Sequence, residues 1–281
     1  MNALGASAGL GLLSAASWGG SDFVGGLGAR RASALLVTAS GQVISLLLLI
    51  PLCFAAGIAL PTGPNLLFAL IGGFEVALAL ALFYRALTLG AMGVTAALTG
   101  LLTALIPVLF SLARYGAPSA LTAAGLAAGC AAIWLITHRP ERTRAATPAR
   151  ALLLGALAGV GFGMQLVFFK MADGASLLGI MTVARVAGVT ALALVLLWTR
   201  PRSAGGGFLL AGAVSGILDT AGNLFYLRAV QLGRLDSAAV ICSLYPAGTI
   251  LLAAIILRER PSRRQVAGIA LALGAVALLS L

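Results

Sequence analysis

The sequence predicts an all-α membrane protein, with ten transmembrane helices arranged as two inverted five-helix repeats. Three observations predict it. Of 281 residues, 61% are hydrophobic and 9% charged, against about 45–50% and about 25% in a soluble domain, which excludes a soluble globular fold. The apolar runs approach the roughly 20 residues of helix that cross a hydrocarbon layer, and they lack the alternating strands of about 10 residues that build a membrane barrel. Helices are the remaining spanning structure. Finally, the two halves of the chain match each other in one register.

Taken in order, the apolar runs between Arg, Pro and polar breaks place helices near 4–27, 34–56, 66–85, 91–113, 119–137, 151–171, 177–199, 207–228, 236–257 and 264–281. The first lacks a basic region ahead of it and has a counterpart later in the chain, so it reads as a mature helix rather than a secretory signal. Arg30-Arg31 separates it from the second, and Pro61 to Pro64 separates the second from the third. Arg85 and Gly90 precede the fourth, and Gly116 to Pro118 precedes the fifth. The longest polar stretch, His138 to Arg150 (HRPERTRAATPAR), divides five segments from five. Lys170 ends the sixth, Arg200-Pro201-Arg202 the seventh, Gly233-Arg234 the eighth, and Arg258 to Arg264 lies between the last two.

A shift of 143 residues superimposes the halves. Gly20 falls on Gly163, Ala32-Ser33 on Ala175-Ser176, Arg85-Ala86 on Arg228-Ala229, Leu89-Gly90 on Leu232-Gly233, Pro118-Ser119 on Pro261-Ser262 and Ala124-Gly125 on Ala267-Gly268. Residues 1–137 and 151–281 are then the two repeats, joined by 138–150. Each holds an odd number of crossings, so the copies enter the membrane from opposite sides, as in many secondary transporters whose substrate site lies between the halves near the bilayer midplane.

The net charge of +11 does not mark a nucleic-acid partner, because all but one of the basic residues sit at or between the ends of apolar segments. Thirteen of them fall in odd-numbered connections and four (Arg114, Lys170, Arg228, Arg234) in even-numbered ones. The excess of basic residues in cytoplasmic loops puts the odd connections inside, and both termini outside, a cell (inner) membrane. Cys53, Cys130 and Cys242 lie in separate apolar runs without paired spacing, so neither a metal site nor a disulfide framework is expected.

The run Leu257-Arg258-Glu259-Arg260-Pro261-Ser262-Arg263-Arg264-Gln265-Val266-Ala267-Gly268, ending in Leu273-Gly274, resembles the signature that joins the last two helices of EamA-type members of the drug/metabolite transporter superfamily. Ser243-Leu244-Tyr245-Pro246 and Trp18-Gly19-Gly20-Ser21-Asp22-Phe23 are similar to that family's pattern as well. In the first half Tyr115-Gly116 stands where the signature has its Arg-Glu pair. The resemblance implies export of amino acids or other small metabolites through a central cavity lined mainly by helices 1, 3, 4, 6, 8 and 9.

A charge at the centre of a spanning helix costs roughly 2.5–3.5 kcal/mol to insert, so it needs a partner or a water-filled cavity. Four charged residues lie away from the ends of predicted spans: Asp22, Glu75, Arg185 and Asp219. Glu75 and Asp219 are one residue from repeat equivalence, Asp22 matches Gln165, and Arg185 matches Gln42. Asp22 reads either as a cavity residue or as a structural partner of Arg30, eight residues on. Arg185 reads as a structural counter-ion for a carboxylate ahead of a substrate ligand. On the eighth helix Gly212, Gly216, Asp219, Asn223 and Tyr226 form one small-and-polar stripe, on the first Gly11, Ala15, Trp18 and Asp22 align, and on the fourth Thr95, Thr99 and Thr103 do. The threonines serve the cavity or bond back to their own helix. Pro246 removes a helical hydrogen bond near Cys242 and Ser243, giving a hinge or a fixed bend.

The candidate substrate-binding residues are therefore Trp18, Asp22, Glu75, Thr99, Gln165, Phe168, Asp219, Asn223, Tyr226 and Tyr245. Carboxylates, amides and rings together suit an amine-bearing solute with an apolar body. The only histidine lies in the central polar stretch, and no catalytic constellation, cofactor motif or phosphate loop stands in a suitable context. The leading expectation is a secondary transporter exporting small metabolites, above all amino acids including aromatic ones, with protons as a candidate coupling ion and the lipid bilayer as the other partner. The alternative is a passive channel or a membrane scaffold.

Overall fold

The computed structural model describes residues 3–29, 32–89, 92–137, 148–172, 174, 176–201, 207–256, 258 and 262–279. Positions named above that lie outside the described residues are Arg30, Arg31, Gly90, Ala175, Arg202, Leu257, Glu259, Arg260 and Pro261, residues 138–147 of the central polar stretch, and the side chain of Thr95. Among the described residues the chain is helical and without strands. The helices are α1 (Ala3–Ala29), α2 (Ala34–Ala55), α3 (Gly63–Leu89), α4 (Met92–Tyr115), α5 (Ala120–Thr137), α6 (Ala149–Met171), α7 (Leu177–Thr199), α8 (Phe208–Leu232), α9 (Leu235–Cys242), α10 (Tyr245–Ile256) and α11 (Arg263–Leu279).

The predicted ninth span is two helices end to end. The break falls at Ser243-Leu244, two residues ahead of Pro246, which has no N–H to offer the Cys242 carbonyl. Tighter bonds bridge the gap, Leu244 N–H to Ile241 O at 3.2 Å and Ala247 N–H to Leu244 O at 2.9 Å. Pro51 and Pro107, by contrast, sit inside continuous helices.

Among the described residues seven stretches are long and apolar enough to cross a membrane, one of them Leu235–Ile256 taken as one span. The first helix is not one of them, because its serines and glycines lower its hydropathy. Those serines have partners. Ser7, Ser14 and Ser21, seven residues apart, donate to the carbonyls of Ala229 (2.9 Å), Gly222 (2.8 Å) and Ser215 (2.9 Å), also seven apart and in reverse order. The result is an antiparallel ladder of hydrogen bonds along the α1–α8 contact, at the heptad spacing that keeps one seam facing its partner.

Packing partners are related by the same exchange that relates the sequences. The α1 helix packs on α8 and on α9–α10, while α6 packs on α3 and α4; α2 packs on α8, and α7 on α3; α2 meets α7 and α5 meets α11. Close approaches repeat as well. The backbones of Gly41 and Gly216 touch in the α2–α8 crossing, and Gly73 touches Ala184 in the α3–α7 crossing. Adding 143 to Gly73 gives Gly216, and adding it to Gly41 gives Ala184. Small residues let helices approach to this distance in a membrane, where packing rather than water exclusion drives association.

Gly216→Ala places a methyl group in the Gly41 backbone, so we expect a loss of about 1–3 kcal/mol, read as a lowered unfolding temperature in detergent. Gly9→Ala, with nothing within 4 Å of the added carbon, is expected to leave that temperature unchanged or raise it.

Candidate functional site

A cavity of about 600 Å³, its mouth included, lies near the middle of the spans. The first segment contributes Trp18 and Asp22, α2 Gln42, α4 Thr103 and α10 its first residue, Tyr245. From α3 come Val76, Leu80 and Phe83, from α6 Phe162, Gln165 and Leu166, and from α8 Asp219 and Asn223. Residues 76, 80 and 83, like 162 and 166 or 219 and 223, recur at three or four positions, the spacing that lines one face of a helix.

Asp219 is the centre of the polar wall. Its carboxylate pairs with the guanidinium of Arg185 on α7, which is 4% exposed. The same guanidinium donates to Gln42 Oε1 at 2.7 Å and to Thr220 Oγ1 at 3.1 Å. Arg185 thus takes the counter-ion role read from the sequence, and it does so from behind the cavity wall. Gln42 and Arg185, repeat equivalents, meet each other. The wall continues through side-chain amides: Asn223 Nδ2 donates to the Asp219 carbonyl at 2.8 Å, and Gln165 Nε2 donates to Asn223 Oδ1 at 2.9 Å. No cation partners Asp22 among the described residues, where the ion pairs are Arg185–Asp219 and Arg234–Asp236.

Aromatic rings form the remaining walls. Trp18 lies over Gly222, where an added Cβ would come within 2.6 Å of the indole Cδ1. Tyr245 meets the indole edge-on, with ring centroids 6.4 Å apart, and Phe83 meets Phe162 edge-to-face at 5.9 Å. Such arrangements suit the ring quadrupoles.

Of the ten candidates, six line the cavity: Trp18, Asp22, Gln165, Asp219, Asn223 and Tyr245. The structure places the other four elsewhere. Tyr226 is fully buried behind Trp18, centroids 6.1 Å apart, and its hydroxyl donates to the Leu166 carbonyl at 2.7 Å. Phe168 stacks on Phe68 in the α3–α6 contact. Thr99 donates to the Gly155 carbonyl at 2.8 Å, tying α4 to α6, whereas Thr103 bonds back to Thr99 O. Glu75 faces α6 near Gly161, and its Oε2 is buried with no partner among the described residues. On α8 the stripe divides: Gly212 and Gly216 pack on α2, and Asp219 and Asn223 face the cavity.

Sequence reasoning missed Gln42, Val76, Leu80, Phe83, Phe162 and Leu166. The repeat register carried the signal for four of them, since they are the equivalents of Arg185, Asp219, Asn223 and Tyr226. Cys53 and Cys242 are buried and unbridged, Cys53 Sγ lying 3.1 Å from Thr182 Oγ1. No group of three or more potential metal ligands occurs among the described residues.

A second polar cluster ties the end of the bundle that carries the even-numbered connections. Asp236, buried at the start of α9, accepts from Arg234 Nε (3.1 Å) and from the Ser237 N–H (2.8 Å) on one oxygen, and from Arg234 Nη2 (2.8 Å) and Ser111 Oγ (3.1 Å) on the other. Lys170 Nζ donates to the Val230 carbonyl at the same end, at 3.0 Å.

Asp219→Asn is expected to destabilise by about 3 kcal/mol or more, because it strands a buried guanidinium. Adding Arg185→Gln, which gives α7 the residue that α2 carries at the equivalent position, is expected to recover most of the loss. Thermal unfolding of both single variants and the double variant measures the coupling.

Comparison with known proteins places this architecture. Residues 149–281 match the model of the EamA-like transporter family, part of the drug/metabolite transporter superfamily. A solved structure described only as the crystal structure of a protein superimposes with a TM-score of 0.79 at 20% identity, over 97% of this chain and 95% of that one. That likeness concerns the fold. No curated protein matches.

Proposed function

From a second half that belongs to the EamA-like transporter family, whose members are multi-span membrane transporters, we propose that the chain is a secondary transporter exporting small metabolites across the cell (inner) membrane. Amino acids, aromatic ones included, lead the candidate substrates. Residues 1–137 and 151–281 act as two inverted repeats joined by 138–150, and the substrate passes between them by alternating access. The observation that carries this reading is the mid-span cavity, walled from both halves by carboxylates, amides and rings. The Trp18, Asp22, Gln165, Asp219, Asn223 and Tyr245 side chains contact substrate in it. Glu75, Thr99, Phe168 and Tyr226 act from behind, holding the helices that carry those groups.

Inequality between equivalent positions supports alternation. Phe83 lines the cavity, while Tyr226, its equivalent, is sealed against Leu166. Asp22, Leu80 and Phe83 lie in the halves of α1 and α3 nearer the odd-numbered connections, and the ties of Ser111, Asp236, Arg234 and Lys170 lie at the other end. The α6 lining, Phe162, Gln165 and Leu166, lies in the half of that helix nearer the even-numbered connections, so the cavity sits at mid-span.

In proteoliposomes we expect saturable flux of amine-bearing metabolites, with competition between them. A passive channel gives neither saturation nor competition, and a scaffold gives no flux. Stimulation by an imposed pH gradient identifies protons as the coupling ion, acting through Asp22, Glu75 or Asp219. For orientation, a cysteine placed at Ala146 is expected to resist an impermeant reagent applied outside intact cells and to react in inside-out vesicles; the reverse pattern inverts the topology.

A further inference from the structure

We propose that the cavity selects monocationic amines with an apolar body over the zwitterions built on the same body. The inference rests on the transport reading and names the substrate class of that site.

Its basis is the charge inventory of the walls. Two carboxyl groups, Asp22 and Asp219, face the cavity, and no Lys or Arg lines it among the described residues. The one guanidinium nearby is buried behind the wall with its terminal nitrogens committed, Nη1 to Gln42 and Nη2 to Asp219 and Thr220. With Arg185 neutralising Asp219, Asp22 is the cavity carboxyl that has no cation partner among the described residues. A buried negative charge without a counter-ion is costly, and a bound cation removes that cost.

A zwitterion brings its own carboxylate into the same space. The donors lining that space are neutral, the amides of Gln42, Gln165 and Asn223, the Trp18 indole and the hydroxyls of Tyr245 and Thr103, and Gln165 Nε2, Asn223 Nδ2 and Thr103 Oγ1 already donate to Asn223, Asp219 and Thr99, so none of them answers a carboxylate with a charge. The zwitterion's carboxylate also meets the Asp22 carboxyl, which has no cation partner among the described residues. An ammonium instead meets Asp22 directly, in a space whose walls include the rings of Trp18, Tyr245, Phe83 and Phe162 beside its apolar body. Asp22 is therefore the specificity-determining residue, and Asp219, occupied by Arg185, holds the wall.

The test compares phenethylamine with phenylalanine, which share a ring and differ in the carboxylate. Flux is measured in proteoliposomes, and binding is measured independently as the thermal shift of the purified protein. Phenethylamine is expected to bind and compete at least about tenfold better, the worth of one charge-assisted contact. In Asp22→Asn that ratio is expected to fall toward one, while Asp22→Glu keeps it; Arg185–Asp219 is untouched in both. Equal or better binding of phenylalanine overturns the selectivity and leaves transport standing, as does an unchanged ratio in Asp22→Asn. Amine-selective binding without flux of either solute overturns transport and leaves the selectivity. Neither binding nor flux overturns both.

Discussion

A guanidinium placed inside the hydrocarbon layer sets the terms for everything around it. Arg185 cannot reach water from the middle of α7, so its charge has to be answered by neighbouring helices. Asp219 answers it from α8 and Gln42 from α2, and both helices must come close enough to do so. Glycine makes that approach geometrically open: Gly41 and Gly216 bring α2 onto α8, and Gly188, whose added Cβ would lie 3.2 Å from Gln42 Oε1, lets the amide sit against α7. With the ion pair fixed, the Asp219 backbone is fixed too, and the amides of Asn223 and Gln165 follow from it. The polar wall of the cavity is thus the visible side of a structural pair.

Near-equivalence of the two halves is what gives the cavity its shape, and the departures from it give the cavity its chemistry. The face that carries Asp219 and Asn223 in α8 carries Val76 and Leu80 in α3. Trp18 over Gly222 has its counterpart in Gly161 against Ala79, where no ring is present and Phe83 and Phe162 supply the wall instead. One side of the space is charged and amide-lined and the other apolar, on a backbone that is nearly the same twice.

The helical class and the spans were legible because composition and run length are integrated over many residues. The repeat register was legible from Arg, Pro and Gly positions that low complexity does not imitate. What escaped was rotation. Glu75 stands beside Val76 in sequence, yet one residue is about 100° on a helix, and that step separates the cavity from the α6 contact. Tyr226 follows Asn223 by three positions and still falls behind Trp18, because α1 covers that turn of α8. A stripe names the face turned inward and leaves open which part of it meets a neighbour and which meets space. The break at Ser243-Leu244 was announced by Pro246, while the serines of α1 formed a heptad that gains its meaning only from carbonyls some 200 residues away.

That separation bears on how the molecule is made. The first helix leaves the ribosome carrying hydroxyls whose acceptors belong to a helix that has not been synthesised. Until α8 arrives, α1 is a weakly apolar segment with polar groups facing lipid, held by little beyond its own hydropathy. Its final place is therefore taken late, when the second half docks, and a first half made alone lacks the surface that would keep its opening helix in register. Two halves that look like independent copies are in this respect a single unit of biosynthesis, closed from the last helices back to the first.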